Sequence, residues 1–180
     1  MVIKRATPFT HPRSPAYTRK SKKRELNYIK GWLPTKIGKF VMGNVEDFNK
    51  KKFNCYIWLK STKHVQIREN ALEAARKTIL RHLEKKIGKN NFYFSLMVYP
   101  HQVLRENKML TGAGADRLQT GMQLAFGSVV GNAAVVKPGK PVFLVATNKQ
   151  YVDIVKNIYR MIFPKIPCKP KIEIEIKEKI

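Results

Sequence analysis

From Asn107 to Gly127 the chain reads NKMLTGAGADRLQTGMQLAFG, with Gly112, Gly114, Gly121 and Gly127 inside the stretch and Gly131 just beyond it. Glycine lets the backbone take positive φ and approach a ligand closely, at an entropic cost. Gly112 and Gly114 flank Ala113, and Lys108, Asp116 and Arg117 bracket the three. Such a stretch is ill suited to a core. It reads as a tip with cations at its base, built to reach a polyanion, and the rest of the chain reads as the platform that holds it out.

The charge balance points the same way. Thirty-six Lys and Arg stand against twelve Asp and Glu, a net of +24 with a pI near 10.2. A chain so charged repels itself until a polyanion neutralises it, and nucleic acid is the first candidate. An anionic membrane surface ranks second, because polybasic membrane binders usually add a lipid anchor or an amphipathic helix. No zinc finger, basic zipper or helix-turn-helix is visible, which favours RNA over DNA. Cys55 and Cys168 lie too far apart for a metal-ligand spacing or a disulfide framework. No apolar run reaches membrane-span length and the N-terminus lacks an apolar signal region, so a cytoplasmic protein is expected.

Chemistry finds no foothold. GAGAD is neither a P-loop nor a G-x-G-x-x-G turn within a βαβ unit. His64, His82 and His101 are scattered, and Glu106 and Asp116 each sit beside a cation, Arg105 or Arg117. No enzyme and no cofactor are therefore expected.

Residues 1–36 read as an extended basic arm, punctuated by Pro8, Pro12, Pro15 and Pro34. From Met1 to Val45 eleven Lys and Arg face one acid, Glu25, and Arg19, Lys20, Lys22, Lys23 and Arg24 are the densest group. Phe9, Tyr17, Tyr28 and Trp32 interleave with these cations and can stack on bases or pack on the domain. Residues 37–180 read as one α+β domain. Strands are expected over 36–42, 53–59, 64–67, 92–99, 103–109 and 171–177, the last alternating KIEIEIK with its Ile face buried. Residues 132–136 and 142–146 flank KPGKP as a hairpin-like unit. A helix from Asn70 to Ile87 buries Leu72, Ala75, Ile79, Leu83 and Ile87, starts on an Asn70–Glu73 capping pair and stops at Gly88. A second helix runs from Thr147 or Asn148 to about Phe163, with Ile154, Val155, Ile158, Met161 and Ile162 inward. A short helix is expected over 116–126. The fold class is α+β: an antiparallel or mixed sheet with two main helices on one face.

The motifs SPAYTRK, KGWLPTKIGKFVMGN, HVQIR, ENALEAARKTI, VYPHQVLRENKMLTGAGADRLQTGMQLAFG and GKPVFLVAT occur in this order across nearly the whole chain. Together they resemble the large-subunit ribosomal protein family called L-ten-e in archaea and eukaryotes, the counterpart of bacterial L-sixteen. The resemblance implies a hammerhead-like β extension and a structural role on rRNA, near the aminoacyl-tRNA site and the peptidyl transferase centre. It implies large-subunit rRNA, tRNA and neighbouring ribosomal proteins as partners, and no membrane. By position, Arg13, Tyr17, Arg19 and Lys20 match the family's rRNA-threading segment, and Lys22, Lys23, Arg24 and Lys30 extend its charge. Arg105 matches a loop-stem arginine. The loop, residues 107–121, would face tRNA through Lys108, Met109, Thr111, Gly112, Ala113, Gly114, Ala115, Asp116 and Arg117. The sequence departs from the family's pattern at Ser128-Val129, where Lys-Pro is usual, at Val135 within Ala134–Val136, where an Arg is usual, and at Val41, where an Asp is usual. The missing eukaryotic C-terminal extension points to the archaeal type. A non-ribosomal RNA-binding protein or RNA chaperone is the alternative.

Overall fold

The computed structural model describes residues 10–12, 33–107, 112–113 and 126–176. In order they form β1 (Val41–Gly43), α1 (Val45–Asn49), β2 (Cys55–Lys60), β3 (Val65–Arg68), α2 (Glu69–Lys86), β4 (Phe92–Leu96), β5 (Gln102–Glu106), β6 (Ser128–Val136), β7 (Pro141–Thr147), α3 (Val152–Ile162) and β8 (Lys171–Ile176). The strands make two sheets, one of five in the order β1-β4-β7-β2-β8 and one of three in the order β3-β6-β5. Every pairing is antiparallel. The chain adopts the expected α+β class, with two antiparallel sheets where one antiparallel or mixed sheet was expected.

The core forms where the helices meet one face of the larger sheet. Leu72, Ala75, Ile79 and Leu83 recur at helical spacing along α2 and are fully buried against Ile57, Leu59, Phe94, Phe143 and Val145. Gly88, at φ +87°, stops the helix by donating its N–H to the Leu83 carbonyl. Val65, Ile67, Ala134 and Val136 bring the smaller sheet into the same core. The opposite face of the larger sheet is aromatic. Phe53, Tyr93, Leu144 and Ala146 are buried there under Phe48 of α1, whose ring stacks on Tyr93 at 3.7 Å.

Five expectations need correction. The segments flanking KPGKP are no hairpin: β6 and β7 belong to different sheets. Pro138 and Pro141 have no N–H for a shared ladder, and the turn between them docks instead on Ser61, which donates to Lys140 O and accepts from Gly139 N. Asn70 does not cap α2. The helix begins at Glu69 with Arg68 at the N-cap, and Glu73 is engaged by Arg76 rather than by a capping box. The capping pair lies earlier, where Asn44 accepts from Asp47 N at 3.0 Å and donates to its carboxylate at 2.8 Å, starting a helix the sequence reading missed. In α3 the inward residues include Tyr159, whose hydroxyl donates to Ile57 O at 3.1 Å, while Met161 is exposed. Finally, β8 is an edge strand: only Ile172 is packed on the core, and Ile174 and Ile176 are exposed.

Candidate nucleic-acid interface

The glycine stretch leaves and re-enters the smaller sheet between β5 and β6. Pairing runs from Gln102↔Ala133 to Glu106↔Ser128, so the two ends of the loop are brought side by side. Leu104 faces Gly131 and Arg105 faces Val129, which leaves Val130 as an extra residue that kinks β6 at the loop root. Gly127 closes the loop at φ +143°, and a Cβ there would stand 2.7 Å from Glu106 C, 2.8 Å from Glu106 O and 2.9 Å from Asn107 N. Only a residue without a side chain passes so close to the opposing strand. Arg105 NH1 donates to Gly127 O at 3.4 Å and Ser128 Oγ donates to Glu106 O at 3.3 Å. Ser128 thus ties the root internally. Phe126 is 72% exposed beside it.

Of the predicted loop residues, Gly112 and Ala113 are exposed, and among the described residues nothing lies within 4 Å of a Cβ placed on Gly112. Lys108, Met109, Thr111, Gly114, Ala115, Asp116 and Arg117 lie outside the described residues, as does the expected helix over 116–126 except for Phe126, which is not helical. Arg105 is half-buried on β5, with one guanidinium nitrogen directed at the loop root.

The arm residues Arg13, Tyr17, Arg19, Lys20, Lys22, Lys23, Arg24 and Lys30 also lie outside the described residues. The structure shows instead how the chain that follows them is fastened. Asn132 of β6 donates through Nδ2 to Leu33 O at 2.8 Å and to Glu69 Oε2 at 3.4 Å, and Lys36 N donates to the same carboxylate oxygen at 3.3 Å. Glu69 and Asn132 are both buried. Glu69 opens α2, where the helix dipole favours an anion. This polar knot joins the root of the arm, the start of α2 and the strand that carries the loop. Sequence reasoning missed it, although Asn132 at the head of the apolar run Ala133–Val136 is a signal, since buried amides require partners. Further out, Thr10 lines a cavity of about 160 Å³ with Gln66, Arg68, Ala71 and residues 164–167.

The described acids largely neutralise local cations. Arg76 holds Glu73 through two hydrogen bonds of 2.6 and 2.7 Å, and these keep the Glu73 carboxyl below the usual carboxylate range. Lys60 and Lys171 pair with Glu173, Lys52 with Asp47, and Lys156 with Asp153. Among the described residues no three His, Cys, Asp or Glu side chains come together as metal ligands. No described helix is long and apolar enough to cross a membrane.

These features define a basic α+β protein built around a glycine loop clamped at its root. Residues 12–173 match the family model described as Ribosomal protein L16p/L10e. The chain is 45% identical over 160 residues to large ribosomal subunit protein uL16 of Hyperthermus butylicus, covering 89% of this chain and 83% of the relative. It is 43% identical over 167 residues to the uL16 of Thermofilum pendens, covering 93% and 94%, and 44% identical over 160 residues to that of Methanosphaerula palustris, covering 89% and 87%. The chain belongs to the L16p/L10e family of large-subunit ribosomal proteins, with archaeal homologues, and works on the cytoplasmic ribosome.

Proposed function

We propose that this chain is a structural, rRNA-binding constituent of the large subunit, seated near the aminoacyl-tRNA site and the peptidyl transferase centre, with its glycine loop approaching tRNA. Residues 1–36 act as the rRNA-binding arm and residues 37–180 as one domain, with the three-stranded sheet in the place of the hammerhead-like extension. Arg13, Tyr17, Arg19, Lys20, Lys22, Lys23, Arg24, Lys30 and Arg105 meet rRNA. Residues 108–117 of the loop, apart from Leu110, meet tRNA. Neighbouring large-subunit proteins are the remaining partners.

The observation that carries this reading is the loop root. A bulged two-strand stem, a glycine that tolerates no Cβ and two hydrogen bonds across the base fix where the loop leaves the sheet. Exposed Gly112 and Ala113 sit beyond that root, and among the described residues nothing lies within 4 Å of a Cβ at Gly112. A fixed root with exposed residues beyond it suits a probe of a neighbouring molecule better than a core element. The alternative, a free RNA chaperone, has only the charge in its favour, whereas family membership spans most of the chain.

Deleting residues 111–115 tests the reading. The variant is expected to fold, to sediment with large subunits and to impair translation. A deletion variant that cannot fold makes the loop structural. A wild-type chain that sediments apart from large subunits overturns the ribosomal assignment.

A further inference from the structure

At the end of the molecule away from the glycine loop, strands of both sheets begin or end together. There β2 stops at Lys60, β3 starts at Val65, β6 stops at Val136, β7 starts at Pro141 and β8 starts at Lys171. Their connections converge on Ser61, which is 2% exposed. Ser61 N donates to Lys140 O at 3.1 Å, and Gly139 N donates to Ser61 O at 2.7 Å. Ser61 Oγ donates to Lys63 O at 2.7 Å, with Cys168 Sγ 3.4 Å away. Thr62 Oγ1 donates to Lys169 O at 2.7 Å, and Lys140 N donates to Lys137 O at 3.2 Å. The carbonyls of Lys63, Lys137, Lys140 and Lys169 are thus all held by this network, and all four residues are exposed.

None of the four lysines makes an ion pair among the described residues. The nearest acid along these segments, Glu173, is already engaged by Lys60 and Lys171. Exposed His64 adds a donor at the rim. Ordinary surface lysines relieve mutual repulsion when their loops spread. Here hydrogen bonds around buried Ser61 hold the loops together, so an external anion relieves the repulsion, over a screening length of about 8 Å.

We propose that Lys63, Lys137, Lys140 and Lys169 form a second RNA-backbone contact, separate from the arm and the loop. This rests on the ribosomal reading above, which supplies the polyanion. Strand β6 sets its distance from the loop root, since Ser128–Val136 spans about 26 Å at roughly 3.3 Å per residue. The domain would then touch rRNA at both ends of one strand, and that double contact would orient the loop.

Two measurements on the full chain test this. In the first, lysine acetylation is compared for free protein and protein bound to large-subunit rRNA. All four lysines are expected to react several-fold more slowly when bound. In the second, all four are changed to Gln. The slope of log affinity against log salt should fall in magnitude by about 3, given roughly 0.7–0.9 per phosphate contact. The wild type would then lose about eightfold more affinity per doubling of salt than the variant. Wild-type binding that is steeply salt-dependent, with the four lysines still fully reactive and the variant's slope unchanged, overturns this site and leaves the ribosomal reading standing. No rRNA binding by the wild type defeats both. Protection seen only in assembled subunits, with the variant's slope on naked RNA unchanged, assigns the surface to an acidic neighbouring protein and overturns the RNA contact.

Discussion

Gly127→Ala tests the claim that the loop root is clamped. The added methyl would lie 2.7 Å from Glu106 C and 2.9 Å from Asn107 N, where carbon contacts prefer about 3.5–4.0 Å. The opposing strand must therefore retreat by roughly 1 Å. Both contacted groups are backbone at the last rung of the β5–β6 ladder, Glu106↔Ser128, so no side-chain rotation absorbs the strain. Overpacking of this kind costs about 1–3 kcal/mol, and an L-residue at φ +143° adds about 1–3 kcal/mol. The lower entropy of the unfolded Ala chain stabilises the fold by about 0.4–1 kcal/mol and offsets only part of that loss. The root has an escape, because it can unzip as far as the bulge at Leu104/Arg105 and give up only the outer rungs and the Arg105 and Ser128 bonds. That limits the net loss to about 2–3 kcal/mol, at about 1 kcal/mol per bond surrendered. Urea unfolding measures it, with Gly112→Ala as the comparison, since among the described residues no atom lies within 4 Å of that Cβ and the backbone preference at φ +154° is what the methyl disturbs. Faster amide exchange at Glu106 and Ser128 should accompany the loss. A Gly127→Ala protein within 0.5 kcal/mol of wild type, or no weaker than Gly112→Ala, would refute a clamped root.

Glu73→Gln should destabilise by about 2 kcal/mol, because the buried Arg76 guanidinium loses its paired charge while keeping an amide acceptor. The hydrogen bonds from Arg76 lower the folded-state pKa of Glu73, so this stability is fully present above the unfolded carboxylate value near 4.3 and is lost as pH falls through the lower folded value. The Gln variant should flatten that acid limb, and an unchanged limb in urea titrations across pH would show that the pair carries none of it. Asn132→Ala removes donors to Leu33 O and to the Glu69 carboxylate, but also removes an amide oxygen, Oδ1, that is buried without a partner. The net loss should be about 1–2 kcal/mol, with faster amide exchange at Lys36 as the local readout. If Lys36 stays as protected as in wild type, the knot does not secure the arm root.

How much was legible in the sequence depended on whether the deciding contact was local. The α2 stripe was readable because Leu72 to Ile87 recur at helical spacing and bury one face. The α3 stripe was only half readable. Seven of its eleven residues are apolar, more than one buried face needs, so periodicity alone did not separate buried Tyr159 from exposed Met161. In β8 the alternation predicted the strand correctly, but burial of its Ile face depended on strand order. At the edge of the sheet Ile174 and Ile176 are 36% and 57% exposed. The glycine loop announced itself by composition, yet the reason Gly127 must be glycine lies across the ladder in Glu106, twenty-one positions earlier.

The lysine surface was the least legible feature, and the reason is topological. Lys63, Lys137, Lys140 and Lys169 form no run, no period and no motif in the sequence. KPGKP read locally as the tip of a hairpin, which would have placed its two lysines on a turn with no other segment beside them. The turn instead bridges two sheets, because β6 pairs with β3 and β5 while β7 pairs with β2 and β4. A connection between sheets needs partners outside its own flanks, and the buried backbone of Ser61 provides them. That requirement draws the connections from β2 to β3 and from α3 to β8 into the same place, each carrying a lysine. Charge concentrates there because strand ends of two sheets must be hydrogen-bonded together. A surface produced by such packing is read only after the strand order is known.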